Sequence, residues 1–206
     1  MKDHLRFVDS DMHVMEPPDL FERYLDPKFK DRVSVRVGAD GRPNRGPAGM
    51  ILIDGLPTSD SDLQQYRKRT RPVPKNSTQP LSGSRIFEAK RLDFAIERDY
   101  NPEAQVMGME MEGVDIAVLY PTMGLGLLAR NGVDPQLSLA ICQAYNNWIH
   151  EFCPYSPHRL KFVAMLPMHD VHLACRELVR CVRELGAVGS FIRPNLLNGR
   201  YWHSNY

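Results

Sequence analysis

No run in the 206 residues approaches the roughly eighteen consecutive apolar side chains of a membrane-spanning helix, so no membrane partner is expected. Charge of one sign is equally scarce: 26 basic groups stand against 25 acidic ones, a formal net charge of +1. That balance removes the usual electrostatic reason to expect nucleic acid or an anionic lipid surface as partner. With 43% apolar residues, the chain is not a disordered polyelectrolyte either. The four cysteines, Cys142, Cys153, Cys175 and Cys181, show neither C-x-x-C nor disulfide-dense spacing and read as reduced, mostly buried thiols. The first thirty residues carry Asp3, Asp9, Asp11 and Glu16 and lack an apolar h-region. No secretory leader is read there, and a cytoplasmic protein is expected. Glycine-rich phosphate loops are also missing: no G-x-G-x-x-G follows a strand and no G-x-x-x-x-G-K occurs, which argues against a nucleotide-binding sheet.

What is present alternates. Leu5 to Val8 reads as one buried strand, followed at once by the polar cluster Asp9-Ser10-Asp11-Met12-His13. Pro17-Pro18-Asp19 opens a short helix with Leu20, Phe21, Tyr24 and Leu25 on one face. Val33, Val35 and Val37, with Met50 to Ile53 after Ala39-Asp40-Gly41, predict a β-hairpin outside the main core. Ten of the fifteen residues from Thr70 to Ser84 are Pro, Gly, Ser, Thr or Asn, the composition of a loop. It is read as a solvated rim, or as a lid bringing the charge of Arg67, Lys68, Arg69, Arg71 and Lys75 to an anionic substrate. Beyond residue 100 the chain becomes regular. A helix capped by Asn101-Pro102 ends near Gly113, and a strand covers Val114–Leu119. A long helix opens at Asp134-Pro135 and stops at Pro154. Then follow a strand over Phe162–Leu166, a helix from Asp170 to Gly186, and a strand over Ala187–Ile192. Strands and helices alternating at this spacing mean right-handed crossovers and a parallel sheet, doubly wound or barrel.

Active sites of parallel α/β folds lie at the carboxyl ends of the strands. Asp11 and His13, two apart in an extended chain, point to one side. A carboxylate and an imidazole so placed suit a divalent metal such as Zn²⁺ or Mn²⁺, although the same pair also serves as a salt-bridged turn or a helix cap.

The run Phe7-Val8-Asp9-Ser10-Asp11-Met12-His13-Val14-Met15-Glu16-Pro17-Pro18 resembles the N-terminal signature of the amidohydrolase-related family. This branch of the amidohydrolase superfamily includes aminocarboxymuconate-semialdehyde decarboxylase and resorcylate-type decarboxylases. Gly113-Val114-Asp115-Ile116-Ala117-Val118-Leu119-Tyr120-Pro121-Thr122, Ala144-Tyr145-Asn146-Asn147-Trp148, Phe152-Cys153, Arg159-Leu160 and Val163-Ala164-Met165-Leu166-Pro167 follow in the family's order. The resemblance implies a metal-dependent TIM-type (β/α)8 barrel, with about the first four βα units present here, since a closed barrel needs about 250 residues. Residues 1–206 would then form the N-terminal part of a single barrel, with a hairpin and loop excursion at about 26–100. It also implies metal ligation by Asp11 and His13, zinc first and manganese second. Asp9 would be strand-end support, and Glu16 a turn residue or a support behind the ligands. The family's later ligands, a fifth-strand His and an eighth-strand Asp, have no counterpart here, and His203 is a poor substitute.

Tyr120 and Arg193 sit at strand ends facing the same mouth and are the candidate substrate-binding residues, Arg193 for a bidentate pair with a substrate carboxylate. His169 and His172 spell H-x-x-H but straddle a strand end and a helix start, so capping or support is read for them. His150 and His158 are read as structural. The expected activity is a metal-dependent hydrolase. Nonoxidative decarboxylation of an aromatic or unsaturated carboxylic acid comes second, and a noncatalytic or truncated barrel fragment acting by association third. The substrate is expected to be a small carboxylic acid and the assembly a homo-oligomer, because the strand at Ala187–Ile192 would expose an unpaired edge.

Overall fold

The computed structural model describes residues 5–35, 51–57, 93–127, 129–192 and 196–199. Four parallel strands form the main sheet: β1 (Val8–Val14), β5 (Ile116–Pro121), β6 (Leu160–Met165) and β7 (Gly189–Phe191), in the order β1-β5-β6-β7. Neighbours in the sheet are successive parallel strands, with no reversal of direction and hence no switch point of the doubly wound kind. Between them run α3 (Pro102–Glu112), α4 (Gly124–Leu127), α5 (Pro135–Phe152) and α6 (Val171–Arg180). Earlier come α1 (Leu20–Tyr24), a 3-10 turn at Pro27–Arg32 and α2 (Asp93–Ile96).

Along β5 the faces separate cleanly. Ala117, Leu119 and Pro121 are buried, and Ile116, Val118 and Tyr120 are half-buried, so one face meets the core and the other is more open. The core side is built on α5, whose Leu137, Ile141, Tyr145, Ile149 and Phe152 are buried. This is the stripe its 3.6-residue spacing dictates. The caps are those expected: Asp134 Oδ1 accepts from Gln136 N–H at 2.9 Å and Asn101 Oδ1 from Ala104 N–H at 2.9 Å. At the end of α3, Gly113 takes φ 75°, a left-handed conformation that glycine adopts without steric cost.

The structure corrects four expectations. The first strand begins at Val8 and runs through the polar cluster to Val14, while Leu5, Phe7 and Val8 are 72%, 64% and 53% exposed. Pairing with β5 decides this, because Val8 lies opposite Ile116 and Val14 opposite Pro121. The hairpin exists, but as three antiparallel strands, β2 (Val33–Val35), β3 (Ile51–Ile53) and β4 (Leu56–Pro57). Its Val33, Ile51 and Ile53 belong to the common buried cluster rather than lying outside it. The strand expected over Val114–Leu119 starts at Ile116, because Val114 N–H still closes the end of α3 on Met109 C=O at 2.8 Å. After Arg180 the last helix widens into a π-turn over Cys181–Leu185. Val182, expected from sequence on the apolar stripe of this helix with Ala174, Leu178, Cys181 and Leu185, is 50% exposed there.

The loop expected at 70–84, with its basic residues, lies outside the described residues. Among the described residues no helix is long and apolar enough to cross a membrane.

Candidate functional site

The site starts from an irregularity in β1. Asp9 lies opposite Ala117 and Met12 opposite Leu119, so Ser10 and Asp11 together face the single residue Val118. This is a β-bulge, a device that re-aims side chains at the cost of local pairing. Asp9, which lies at the start of β1 rather than past its end, stabilises the bulge by accepting the Asp11 N–H at 2.9 Å. Beyond the bulge His13 lies opposite Tyr120. Because Val118 and Tyr120 share the more open face of β5, Asp11 and His13 share it too. Both are exposed.

His13 is held in one orientation. Its Nδ1 lies 2.8 Å from the carbonyl oxygen of Pro121. A carbonyl only accepts, so Nδ1 carries a proton, and in the neutral ring Nε2 then holds the lone pair. The ring lies 6.3 Å from Tyr120, tilted at 52°, and Tyr120 meets Phe191 edge-on at 6.3 Å. The structure therefore brings the candidate ligand His13 and the candidate substrate residue Tyr120 together. Phe191 extends the same aromatic row and was not singled out from sequence, since one Phe in a short apolar strand carries no signal of its own. Arg193 and His203 lie outside the described residues. A cavity of about 510 Å³ reaches His13 between the end of β1 and helices α2 and α3. It is lined by Met12, Met15, Phe94 and Met109 with His13 and Thr122 at one side, a volume in the range of small-ligand pockets.

Glu16 is 4% exposed, and among the described residues its partners are backbone N–H groups rather than a cation. Its carboxylate accepts three successive backbone N–H groups, from Thr122 at 3.1 Å, Met123 at 2.9 Å and Gly124 at 2.8 Å. Burial pushes its carboxyl above the ordinary value, against the pull of these donors. Glycine is required at 124: a Cβ there would lie 2.7 Å from Pro121 Cβ, 2.8 Å from Met165 Sδ and 3.2 Å from Glu16 Oε1.

Two other histidines, His169 and His150, are held by hydrogen bonds within the fold. His169 Nε2–H donates to Arg130 C=O at 2.8 Å, and its Nδ1 takes the Ser138 hydroxyl at 2.9 Å. Both nitrogens are thus engaged, and burial lowers the pKa of the ring. His150 Nδ1–H donates to Leu185 C=O at 2.9 Å. A second buried acid was missed from sequence. Glu177, 2% exposed, accepts from Asn146 at 2.8 Å and from Arg180 at 2.7 Å. Asn146 in turn bonds both the N–H and the C=O of Met165, at 2.8 and 2.9 Å. Only the tertiary structure brings these positions together; the A-Y-N-x-W motif marked Asn146 without revealing its partners.

Asp11 and His13 supply two donors of the types a divalent cation takes, an acid oxygen and an imidazole nitrogen freed by its tautomer. Among the described residues no group of three or more His, Cys, Asp or Glu is placed to hold a metal.

No protein-family model matches the chain. Among curated proteins, it is 47% identical over 47 residues to a gamma-resorcylate decarboxylase of Polaromonas sp. strain JS666. It is 32% identical over 103 residues to the 2-amino-3-carboxymuconate-6-semialdehyde decarboxylase of Dictyostelium discoideum. These matches cover 23% and 49% of this chain but only 14% and 27% of the relatives. Among solved structures, an amidohydrolase from Mycobacterium avium subsp. paratuberculosis superposes with a TM-score of 0.56 at 23% identity, over 89% of this chain and 47% of that one. The 5-carboxyvanillate decarboxylase of Novosphingobium aromaticivorans, solved with manganese and a nitrobenzoic acid, gives 0.51 at 15% identity over 92% and 42%. The parallel α/β arrangement is thus that of amidohydrolase enzymes, and the chain spans less than half of either solved neighbour. By its homologues and its fold, this chain is related to the aminocarboxymuconate-semialdehyde decarboxylase-like branch of the amidohydrolase superfamily, over part of the length of those proteins.

Proposed function

We propose that this chain forms part of a metal-dependent, nonoxidative decarboxylase of an aromatic or unsaturated carboxylic acid. The observation that carries the reading is that both curated relatives are decarboxylases. Hydrolysis, which the sequence ranked first, has less support than decarboxylation, which it ranked second.

In this reading Asp11 and His13 hold the metal from the more open face of the sheet. Manganese is the ion bound in the 5-carboxyvanillate decarboxylase and is the natural first choice; zinc has no such support. A divalent cation bound there supplies an electrophile that draws charge from a carboxylate or phenolate oxygen. The chain's own residues do the rest of the positioning. The Asp11 carboxylate brings negative charge to the cation side. His13 keeps its proton on Nδ1, directed at Pro121 C=O, so Nε2 stays free to coordinate. The Tyr120 ring, between His13 and Phe191, offers a flat wall to a planar acid. Arg193 takes the part of a bidentate partner for the substrate carboxylate.

The test is release of CO2 from gamma-resorcylate and from 2-amino-3-carboxymuconate-6-semialdehyde with Mn²⁺ present, alongside calorimetric Mn²⁺ titration of the chain and of Asp11→Ala and His13→Ala. Loss of Mn²⁺ affinity in both variants is expected, with CO2 release lost in parallel. Cleavage of an ester, lactone or amide without CO2 release would return the reading to a hydrolase. Unchanged Mn²⁺ affinity in the two variants would remove Asp11 and His13 from the site.

A further inference from the structure

The Pro121–Thr122 peptide is gripped from both ends. Its C=O accepts the proton of His13 Nδ1 at 2.8 Å, and its N–H is donated to the Glu16 carboxylate at 3.1 Å. A peptide unit is planar, with C=O and N–H directed oppositely. Fixing the N–H therefore fixes the direction of the C=O. The next two N–H groups, of Met123 and Gly124, bond the same carboxylate at 2.9 and 2.8 Å. The amide consequently cannot rotate unless the whole turn detaches from Glu16. His13 and Glu16 are three residues apart, and Val14 between them is wholly buried, so both ends of this clamp rest on one anchored segment.

We infer that Glu16 is a positioning residue for His13: by holding the Pro121–Thr122 peptide, its carboxylate keeps the proton on His13 Nδ1 and presents Nε2 as the unprotonated nitrogen. The use of Nε2 as a metal ligand rests on the function proposed above, whereas the tautomer does not. A carboxylate is the side chain this turn selects. It has acceptor sites for three N–H donors at once, whereas the amide of glutamine offers one oxygen and would turn an NH2 group toward an N–H. The ordinary alternative is that Glu16 merely closes the turn into the four-residue helix α4. In that case its removal costs stability and leaves the imidazole as it was.

Long-range ¹⁵N–¹H correlation on histidine-labelled chain separates the two, with His13→Gln assigning the signal among the seven histidines. Wild-type His13 is expected with a protonated Nδ1 and an unprotonated Nε2. In folded Glu16→Gln the signals should move toward the Nε2–H form. Glu16→Asp, which keeps the charge but withdraws the carboxylate by one methylene, should move them the same way by less, and it serves where Glu16→Gln does not fold. A wild-type His13 protonated on Nε2, or a folded Glu16→Gln with the wild-type tautomer, overturns the inference. Mn²⁺ titration of the same variants tests the function separately. About tenfold weaker binding in Glu16→Gln is expected for loss of an orienting partner. A wild-type chain that binds no Mn²⁺ while showing the tautomer shift upholds the positioning role and defeats the metal reading.

Discussion

Replacing Asn146 by alanine removes three hydrogen bonds at one buried point. Met165 N–H loses its acceptor at 2.8 Å, Met165 C=O loses a donor at 2.9 Å, and Glu177 Oε1 loses a donor at 2.8 Å. Asn146, Met165 and Glu177 are 0%, 0% and 2% exposed, so water does not reach these groups without disturbing the core. Each buried polar group left without a partner costs roughly 1–3 kcal/mol. Two such groups, the N–H and C=O of Met165, amount to about 2–6 kcal/mol, while Glu177 Oε1 keeps its bond from Arg180. Domains of this kind are stable by only about 5–15 kcal/mol, so the variant should sit near its unfolding threshold at room temperature. Urea unfolding followed through the fluorescence of Trp148, which is buried on the same helix, measures the difference. Gln143→Ala is the internal comparison. It removes a single 3.2 Å bond to the other oxygen of Glu177 from a half-buried position and should cost about 1 kcal/mol. A loss below about 1 kcal/mol for Asn146→Ala, or one equal to that of Gln143→Ala, would refute the claim that Asn146 fastens α5 to β6 and α6.

Three more outcomes are expected. Of the four thiols only Cys175 is exposed, so a thiol reagent should label one cysteine quickly in the folded chain and all four in urea; burial pushes Cys153 up to about 12 and raises Cys142 and Cys181 as well. Burial alone would raise Glu177, but bonds from Arg180, Asn146 and Cys181 bring it below its ordinary value of 4.5. A depressed folded pKa contributes stability above the unfolded value and loses it as pH falls through the folded one, so urea midpoints measured below pH 4.5 should fall more steeply in wild type than in Glu177→Gln. Gly124→Ala should cost about 1–3 kcal/mol by overpacking, read from the same urea curves, and a neutral result would show that the turn has room the distances deny.

The sequence made some parts of this molecule legible because the signal was local. The Asn101 and Asp134 caps, the glycine at 113 and the α5 stripe each depend on neighbours within a few positions, and the structure has them where the pattern put them. Asp11 and His13 were marked as candidates by their spacing and resemblance. The bulge that keeps them on the face of Val118 and Tyr120 was not, because a bulge is defined by the partner strand. The extent of β1 failed for the same reason. Leu5 to Val8 looks like a core strand, yet pairing with β5 carries the strand into the polar residues. The turn at Asp54-Gly55, with φ values of 52° and 72°, was readable as a two-residue hairpin signal, and attention to that pair would have placed β4. The Glu16 clamp and the Asn146–Glu177 network join residues 106 and 31 positions apart, and a one-dimensional pattern holds no trace of such contacts.

The bulge at Ser10–Asp11 also sets where this chain tolerates changes of length. Downstream of it, Val14 is wholly buried and paired with Pro121, which pins the phase of His13 to the core. A residue gained between His13 and Val14 would rotate the imidazole to the opposite face, since strand side chains alternate with a period of two. Upstream, Leu5, Phe7 and Val8 are exposed, and the two-against-one pairing is a ready slack point. A length change there shifts the lead-in segment and leaves Asp11 and His13 facing as before. Insertions and deletions in natural variants of this segment should therefore accumulate before Ser10 and be absent after it, an asymmetry imposed by the fold whatever the metal or the substrate.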